Sequence, residues 1–238
     1  MSEVQCSVKY GDKDIRFRLI YSKRRSLEIS VHPNGAVAVK APLGTDEDTV
    51  MHRVRKRARW IKKQMDHFAQ FEPRTPERKF VGGESHLYLG KKYRLKIRQS
   101  ETEEVLLKHG YFYITATDGG PVRVANLLDA WYRRKAKACF AEILEDCWGK
   151  YYFSGKGVSK PALKIRAMKT RWGSLSKKSG MTLNLELIKA PKACIEYVIV
   201  HELCHLHHPN HGKAFYGLLE SVLPDWKKRK HTLEMTLA

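Results

Sequence analysis

The stretch His201-Glu202-Leu203-Cys204-His205 constrains the fold of this chain more than any other part of its sequence. Two histidines four residues apart on a helix lie about 40° apart around its axis, so both imidazoles point the same way and can bind one metal ion. Glu202 lies about 100° from His201 around the same axis, where its carboxylate can act as a base on a metal-activated water. The sequence therefore predicts a helix through this stretch whose histidine edge faces a metal site.

A third histidine follows the motif after a break in the helix. The segment His208-Pro209-Asn210 is expected to end the helix and turn the chain, because proline cannot continue a helix and asparagine suits turns. His211 could then reach the same ion. Three protein ligands with one open position are typical of a catalytic zinc site. We therefore predict one Zn2+ bound by His201, His205 and His211, with Glu202 as the catalytic base.

The residues that precede and surround the motif form one apolar helix face. The positions at helical spacing on this face are Ile195, Val198, Ile199, Leu203 and Leu206. Pro191 suits the first helical turn, so the helix is expected to begin near Ala190. This pattern indicates a helix that packs on a core with its histidine edge free. The alternative interpretation is a histidine-rich surface helix without a metal.

Composition narrows the class of protein. The chain has 238 residues, of which 42% are hydrophobic, and this is ample for a packed core. Its sequence has no run of about 18 apolar residues, the signature of a membrane-spanning helix. The N-terminus shows no secretory signal, and five cysteines without a CxxC spacing favour a reducing compartment. We therefore expect a cytoplasmic protein without a membrane partner.

The chain is strongly basic. Its formal net charge of +20 is spread over both halves and attracts polyanions, among which nucleic acid is the commonest in a cell. A helix expected at residues 45–68, with Thr45 as its cap, carries seven Lys and Arg residues around Trp60. Two interpretations stay open for this helix: a solvated face, or a surface that contacts phosphates. DNA is thus a candidate partner, and the alternative is a basic protein without a nucleic-acid role.

Alternating residues and turn signals predict an α+β fold. Strands are expected within residues 4–40, 80–98 and 105–115. Pro33-Asn34-Gly35 is typical of a hairpin turn, and Gly119-Gly120-Pro121 breaks the chain. The prediction is a β-rich basic region at 1–118, which includes the long helix, followed by a second domain at 119–238. No internal repeat is visible in the sequence.

Several motifs quoted from the chain carry a resemblance to a known family. They are Thr170-Arg171-Trp172-Gly173-Ser174, Thr182-Leu183-Asn184, Leu187-Ile188-Lys189-Ala190-Pro191, the run from Tyr197 to His205, and Asn210-His211. With them the chain resembles the YgjP-like metallopeptidases, bacterial zincins related to the SprT-like proteins. The charged hairpin, the Pro-Asn-Gly turn and the basic helix of the N-terminal half fit as well, so the resemblance covers most of the chain. One departure is Leu175, where relatives often have cysteine.

The resemblance implies a zinc-dependent peptidase. Its C-terminal domain would be zincin-like, with a small antiparallel sheet and a helix that carries the HExxH motif. The ligands would be His201, His205 and His211 and the base Glu202, in a hydrolase that cuts peptide bonds of protein or peptide substrates. The SprT-like relatives, which include the Spartan proteases, act on proteins crosslinked to DNA. By analogy, substrates near or crosslinked to DNA are expected here.

Three further residues are candidates for roles at the site. Arg171 is a candidate donor to the developing oxyanion, because its motif precedes the strand beside the metal helix; the alternative is a structural ion pair. His208 is a candidate donor that supports the ligands, or else a surface residue. Asn184 lies in an alternating strand predicted over 181–187. If that strand is an edge over the cleft, a substrate chain could add to it, with Asn184 near the rim.

Two other functions remain open from the sequence. A non-enzymatic nucleic-acid-binding protein could use the metal only to hold its C-terminal half together, and a hydrolase of non-peptide amides would use the same residues. Replacing Glu202 with Gln separates the first of these from an enzyme, because it abolishes turnover in an enzyme and spares metal and fold. The sequence carries no prediction of oligomeric state.

Overall fold

The computed structural model describes residues 3–11, 13–32, 35–69, 78–151, 153, 159–168, 171–176 and 180–237. These residues belong to two compact units, Met1–Thr75 and Pro76–Ala238. Pro33 and Asn34 of the predicted hairpin turn, and Thr170 of the quoted motif, lie outside the described residues. None of the helices within the described ranges is long and apolar enough to cross a lipid bilayer.

The first unit consists of one four-stranded sheet and one helix. The elements in chain order are β1 (Glu3–Tyr10), β2 (Lys13–Ser22), β3 (Glu28–Val31), β4 (Val37–Pro42) and α1 (Glu47–Ala69). The strands pair in the order β1-β2-β4-β3. Both outer pairs are antiparallel and the central pair is parallel. Because β3 stands last in the order, it is an edge strand of this sheet.

Helix α1 begins at a cap one residue later than predicted. The carboxylate of Asp46 accepts a hydrogen bond from the N–H of Thr49 at 2.7 Å, whereas the hydroxyl of Thr45 donates to the Pro42 carbonyl at 3.0 Å. Asp46 therefore satisfies one of the free N–H groups at the start of the helix. The helix buries one face, which consists of Val50, Val54, Ala58 and Ile61. Spacings of three and four residues place these side chains on one stripe that packs in the core of the sheet.

The second unit begins with the same arrangement of four strands and a helix. The elements are β5 (Ser85–Tyr88), β6 (Lys91–Gln99), β7 (Glu104–Lys108), β8 (Tyr111–Ala116) and α2 (Pro121–Lys150). Their order is β5-β6-β8-β7, again with antiparallel outer pairs and a parallel central pair. The chain thus contains the ββββα topology twice, although no repeat is visible in its sequence.

The second sheet shares one hydrophobic core with the helices that follow it. Phe112 of β8 packs edge-on against Trp131 of α2, with 5.0 Å between ring centroids, and both side chains are buried. The same cluster continues through the rest of the unit. The chain therefore divides between residues 75 and 76, and not at the predicted boundary between 118 and 119, because this sheet buries its apolar face against C-terminal elements.

A three-stranded sheet, a 3-10 helix and three α-helices complete the second unit. They are β9 (Leu163–Arg166), β10 (Gly173–Ser176), β11 (Gly180–Asn184), a 3-10 helix (Leu185–Lys189), α3 (Lys192–Cys204), α4 (Lys213–Val222) and α5 (Trp226–Leu237). The strand order is β10-β11-β9. The small sheet is mixed and not antiparallel as predicted, because β11 is antiparallel to β10 but parallel to β9. Its edge strand β10 packs beside α3.

The strand predicted to receive substrate is not an edge. β11 ends at Asn184 and is hydrogen-bonded on both sides, so the prediction of an edge strand over 181–187 is wrong. Asn184 is also buried. Its side-chain amide donates to the carbonyls of Met168 at 2.8 Å and Arg171 at 3.1 Å, and its carbonyl oxygen accepts from the N–H of Glu186 at 3.2 Å. Asn184 therefore holds the segment that enters β10 and does not lie at a cleft rim.

Candidate metal centre

Three histidines converge at the C-terminal end of α3. One ligand nitrogen from each of His201, His205 and His211 lies within 4.8 Å of the other two. His201 belongs to the last turn of α3, His205 is the residue at its C-cap, and His211 lies in the loop before α4. The structure thus brings together the three side chains that the spacing of the motif selected as ligands.

The turn after α3 returns His211 to the helix. The carbonyl of Cys204 accepts a hydrogen bond from the N–H of His208 at 3.0 Å. The helix itself ends at Cys204, and Pro209, which has no N–H to donate, lies beyond this turn. As a result, Nε2 of His211 lies 3.0 Å from Nε2 of His201.

Phe215 of α4 packs against all three imidazoles. Its ring centroid lies 4.9 Å from that of His201, 4.7 Å from that of His205 and 4.7 Å from that of His211. The side chain is completely buried. Phe215 therefore forms the apolar floor that keeps the three rings together. The sequence reasoning missed this residue, and its signal was an aromatic position four residues after His211, in the first turn of the next helix.

The backbone of His208 sets the tautomer of His205. Nδ1 of His205 lies 3.0 Å from the carbonyl oxygen of His208, which can only accept. Nδ1 therefore carries the proton and donates, and Nε2 is left as the basic nitrogen available to a metal. His208 thus contacts His205 through its main-chain carbonyl as acceptor, whereas the prediction was a side-chain donor.

The three imidazoles have the chemistry of a metal site. Burial lowers the pKa of His201, and the charges of His211 and His205 act in the same direction, so that this pKa lies at about 4. Burial also lowers the pKa of His211, with a smaller contribution from the charge of His205. Both rings are therefore neutral at pH 7, the form that binds metals. Zn–N bonds of about 2.0–2.1 Å in a tetrahedron place two ligand nitrogens about 3.3 Å apart, close to the 3.0 Å between the Nε2 atoms of His201 and His211. The donor set fits zinc.

Glu202 lies buried beside this centre under the edge strand β10. A side chain on Gly173 would place its Cβ 2.7 Å from Oε1 of Glu202, so only glycine leaves room for the carboxylate. Burial raises the pKa of Glu202 to about 7, against the opposing effects of the Arg171 charge and a hydrogen bond donated by the N–H of Leu175. Two elements distant in sequence therefore orient one carboxylate next to three imidazoles.

An open cleft of about 600 Å³ gives access to the centre. Its walls include both the histidines and residues of the edge strand: Arg171, Trp172, Gly173, Ser174, Leu175, Tyr197, Val198, His201, Glu202, His205, Leu206, Pro209 and His211. Arg171 is exposed on this wall, and Leu175 also lines it. The arrangement places three potential metal ligands and a buried carboxylate in the wall of one open cleft.

The sequence profile described as YgjP-like, metallopeptidase domain, matches residues 25–236 of the chain. The chain belongs to the YgjP-like metallopeptidase family. This confirms the predicted resemblance and the predicted enzyme class, a hydrolase that acts as a metallopeptidase. The predicted α+β fold is also confirmed by the three sheets and five helices of the described residues.

Two solved structures are partly similar to this YgjP-like enzyme. The zymogen of jannalysin from Methanocaldococcus jannaschii has 20% identity and a TM-score of 0.36, over 42% of this chain and 97% of the other. The zymogen of abylysin from Pyrococcus abyssi has 21% identity and a TM-score of 0.37, over 41% of this chain and 94% of the other. Both are described as metallopeptidase zymogens. No curated protein matches the sequence.

Three stacked aromatic rings, one each from α3, α4 and α5, lie beside the YgjP-like centre. Trp226 stacks on Tyr197 at 6.4 Å and on Tyr216 at 5.4 Å between centroids. Tyr197 in turn contacts His201 edge-on at 5.9 Å, and Tyr216 lies tilted against His211 at 6.2 Å. The sequence reasoning missed this stack, because its members come from three helices and share no local spacing. The stack links His201 to His211 through the C-terminal helices.

Proposed function

We propose that this YgjP-like enzyme is a zinc-dependent endopeptidase, in which His201, His205 and His211 bind the metal and Glu202 is the catalytic base. The observation that carries the proposal is the buried carboxylate of Glu202 beside three convergent imidazoles at the floor of an open cleft. A structural metal would need no such carboxylate and no cleft, because structural sites are closed by four protein ligands.

The residues of the chain divide the work of hydrolysis. A zinc ion held by the three histidines would act as a Lewis acid and lower the pKa of a bound water to about 7. Glu202 would accept a proton from the attacking water and later deliver it to the leaving nitrogen. The N–H of Leu175 keeps the Glu202 carboxylate oriented, and the absence of a side chain on Gly173 lets the edge strand approach it closely.

The edge strand β10 is our proposed binding site for the substrate main chain. Leu175 donates its N–H to Glu202, so the main-chain groups of Leu175 that do not pair with β11 face the cleft. Because alternate residues of a strand point their hydrogen-bonding groups the same way, those of Gly173 share this side. A peptide that adds to this edge would pass beside Glu202 with little dependence on its own side chains.

Arg171 remains our proposed donor to the developing oxyanion. Its side chain is exposed on the cleft wall, and its charge acts on Glu202 strongly enough to oppose the effect of burial on the carboxylate. Its backbone carbonyl is held by Asn184 at 3.1 Å, so the residue is anchored where it meets the cleft. A preorganised cation next to the scissile bond stabilises negative charge that forms only in the transition state.

Proteins near or crosslinked to DNA are the substrates we propose. The support is the net charge of +20, which attracts polyanions over the whole chain. If DNA recruits the substrate, cleavage of a DNA-bound protein should exceed cleavage of the same protein free in solution. This stimulation should fade as salt rises, because phosphate contacts release counterions.

The decisive experiment is Glu202→Gln, assayed for zinc content and for cleavage of casein. We expect zinc content and folding to stay as in the wild type while the cleavage rate falls by about 100- to 10,000-fold, the usual contribution of a general base. Glu220→Gln, an exposed site on α4, is the matched control and should retain activity. Equal cleavage by wild type and Glu202→Gln would refute the proposed base. Cleavage of small amides but not peptides would refute the peptide substrate.

A further inference from the structure

A groove in the first unit lies between α1 and the edge strand β3. It belongs to a different unit from His201, His205 and His211. It encloses about 670 Å³ and is lined by Leu27, Ile29, Arg53, Lys56, Arg57 and Trp60. The wall on the side of β3 is aliphatic, because it consists of Ile29 of β3 and of Leu27, which lies directly before the strand. The wall on the side of α1 carries three cations and an indole. Among the residues that the structure describes, none that lines this groove is acidic.

The four residues contributed by α1 form one stripe on the helix. Arg53, Lys56, Arg57 and Trp60 are spaced by three, one and three residues, so they lie on one flank within about 100°. This is the spacing of a stripe that normally packs in a core, yet all four side chains are exposed. Trp60 is 40% exposed although indole is one of the most costly side chains to leave in water.

The groove cations are not neutralised within the described part of the chain. The ion pairs seen near them are Lys62 with Asp66, one turn further along α1, and Arg24 with Glu28. Arg53, Lys56 and Arg57 have no such partner among the described residues. Trp60 likewise has no aromatic or cationic partner over its ring there. A solvated helix face explains exposed cations, but it does not explain an exposed indole over an aliphatic wall.

We propose that this groove binds single-stranded nucleic acid, with a base stacked on Trp60 and the strand's phosphates on Arg53, Lys56 and Arg57. Sites for single strands combine an aromatic ring for an unstacked base with a basic track for the backbone. The first and last of the three cations are one turn apart, about 6 Å along the helix, so they can contact neighbouring phosphates of one strand. Leu27 and Ile29 form the apolar surface opposite the stacked base.

Other partners match the groove less well. A duplex keeps its bases stacked and offers only phosphates to the groove. These would contact the cations, but no base would stack on Trp60. An acidic peptide also meets the cations, but its carboxylates offer no flat ring to the indole. The inference is independent of the proposed hydrolysis, because it concerns binding by a different unit.

The test measures binding of a fluorescein-labelled oligothymidine of about 16 nucleotides to the full chain by fluorescence anisotropy. Parallel probes are an oligouridine of equal length, a duplex of equal length and a polyglutamate. Binding of both the oligothymidine and the oligouridine is the result expected for base stacking together with phosphate contacts. The ratio of the two affinities shows whether DNA or RNA is preferred. For three phosphate contacts, the logarithm of affinity should fall with that of salt at a slope of about −2, or roughly 20-fold between about 50 and 200 mM.

Variants separate the stacking from the charge. Trp60→Ala should weaken single-strand binding by about 5- to 150-fold and leave duplex binding unchanged, whereas Trp60→Phe should keep most of the affinity. Arg57→Gln should weaken binding and reduce the salt slope by about 0.7. Arg55→Gln removes the same charge about 160° around the helix and is the matched control, which should bind almost as the wild type does. Thermal unfolding checks that each variant is folded.

Three outcomes would overturn the proposal. One is the absence of single-strand binding at low salt in the folded wild-type chain. Another is equal loss from Arg57→Gln and Arg55→Gln with no loss from Trp60→Ala, which would indicate diffuse charge only. A third is tighter binding of polyglutamate than of either oligonucleotide, which would assign the groove to an acidic protein.

Discussion

Replacing Gly173 with alanine should remove most catalysis while the metal site survives. The new Cβ would lie 2.7 Å from Oε1, 2.9 Å from Cγ and 3.0 Å from Cδ of Glu202. Ordinary contact between nonbonded heavy atoms begins at about 3.5 Å, so the carboxylate or the strand must move by about 0.8 Å. Glu202 is buried and cannot swing into solvent without rearranging its surroundings. The backbone of residue 173 is not in the left-handed region, so the contact alone is perturbed.

The size of the effect follows from that displacement. A misplacement of about 1 Å at a catalytic group costs on the order of 100-fold in rate, and overpacking of a buried site costs about 1–3 kcal/mol of stability. We therefore expect kcat/KM for a quenched fluorescent peptide to fall about 100-fold. Denaturant unfolding should show a loss of about 1–3 kcal/mol. Zinc content should stay at the wild-type level, because the added methyl group meets Glu202 and not the imidazoles.

Gly217→Ala is the matched control for this change. A Cβ at residue 217 of α4 would have no heavy atom within 4 Å, so the same substitution meets open space. It should leave kcat/KM unchanged and stabilise the helix by about 0.5–1 kcal/mol. Wild-type kcat/KM in a zinc-loaded Gly173→Ala variant would show that β10 does not position the base, and the role assigned to Glu202 would have to be reconsidered.

Three further predictions concern the residues that support the site. Phe215→Ala removes the floor under the imidazoles, so zinc affinity measured by chelator competition should fall and stability should drop by about 3–5 kcal/mol; unchanged zinc affinity would exclude that role. Asn184→Ala leaves two carbonyls before β10 without their donor, and denaturant unfolding should reveal a loss of about 1–3 kcal/mol, unlike a rim residue, which would lose almost none. Arg229→Gln tests the ion pair with Glu196 of α3. Burial raises the pKa of Glu196, but hydrogen bonds from Arg229 and Tyr151 outweigh this effect and hold the pKa below 4.5. The free energy of unfolding that the ion pair contributes is therefore present above pH 4.5 and is lost as pH falls through the lowered pKa. The acid-induced loss of unfolding free energy should therefore be smaller in Arg229→Gln, and an equal loss would contradict the pairing.

Local spacing was enough to select the three histidines that the structure brings together. His201 and His205 face one side because of the helical repeat, and no distant contact is needed for that. His211 is close enough in the chain for a single turn at Pro209 to return it to the helix. Several of the helices and strands were also visible in the sequence, since their patterns of burial depend on neighbours within a few residues, whereas β10 and α5 were not predicted.

Strand neighbours and packing partners were decided only by the tertiary structure. A period of two identifies β11 as a strand but does not show that it lies between β10 and β9, so Asn184 was expected at an edge and is buried instead. The same reason hid the repeated ββββα topology, which resides in strand order and not in sequence similarity. It also hid Gly173, whose importance depends on a helix that begins 19 residues later in the chain, at Lys192.

The division between the two kinds of information has a physical basis. A ligand pair on one helix is determined by bond geometry within a single turn, so its arrangement is written in the spacing of the residues. The space around Glu202, the floor made by Phe215 and the stack on Trp226 are determined by which elements bury their apolar faces against each other. That choice depends on the free energy of the whole core, and no segment of the sequence contains it alone.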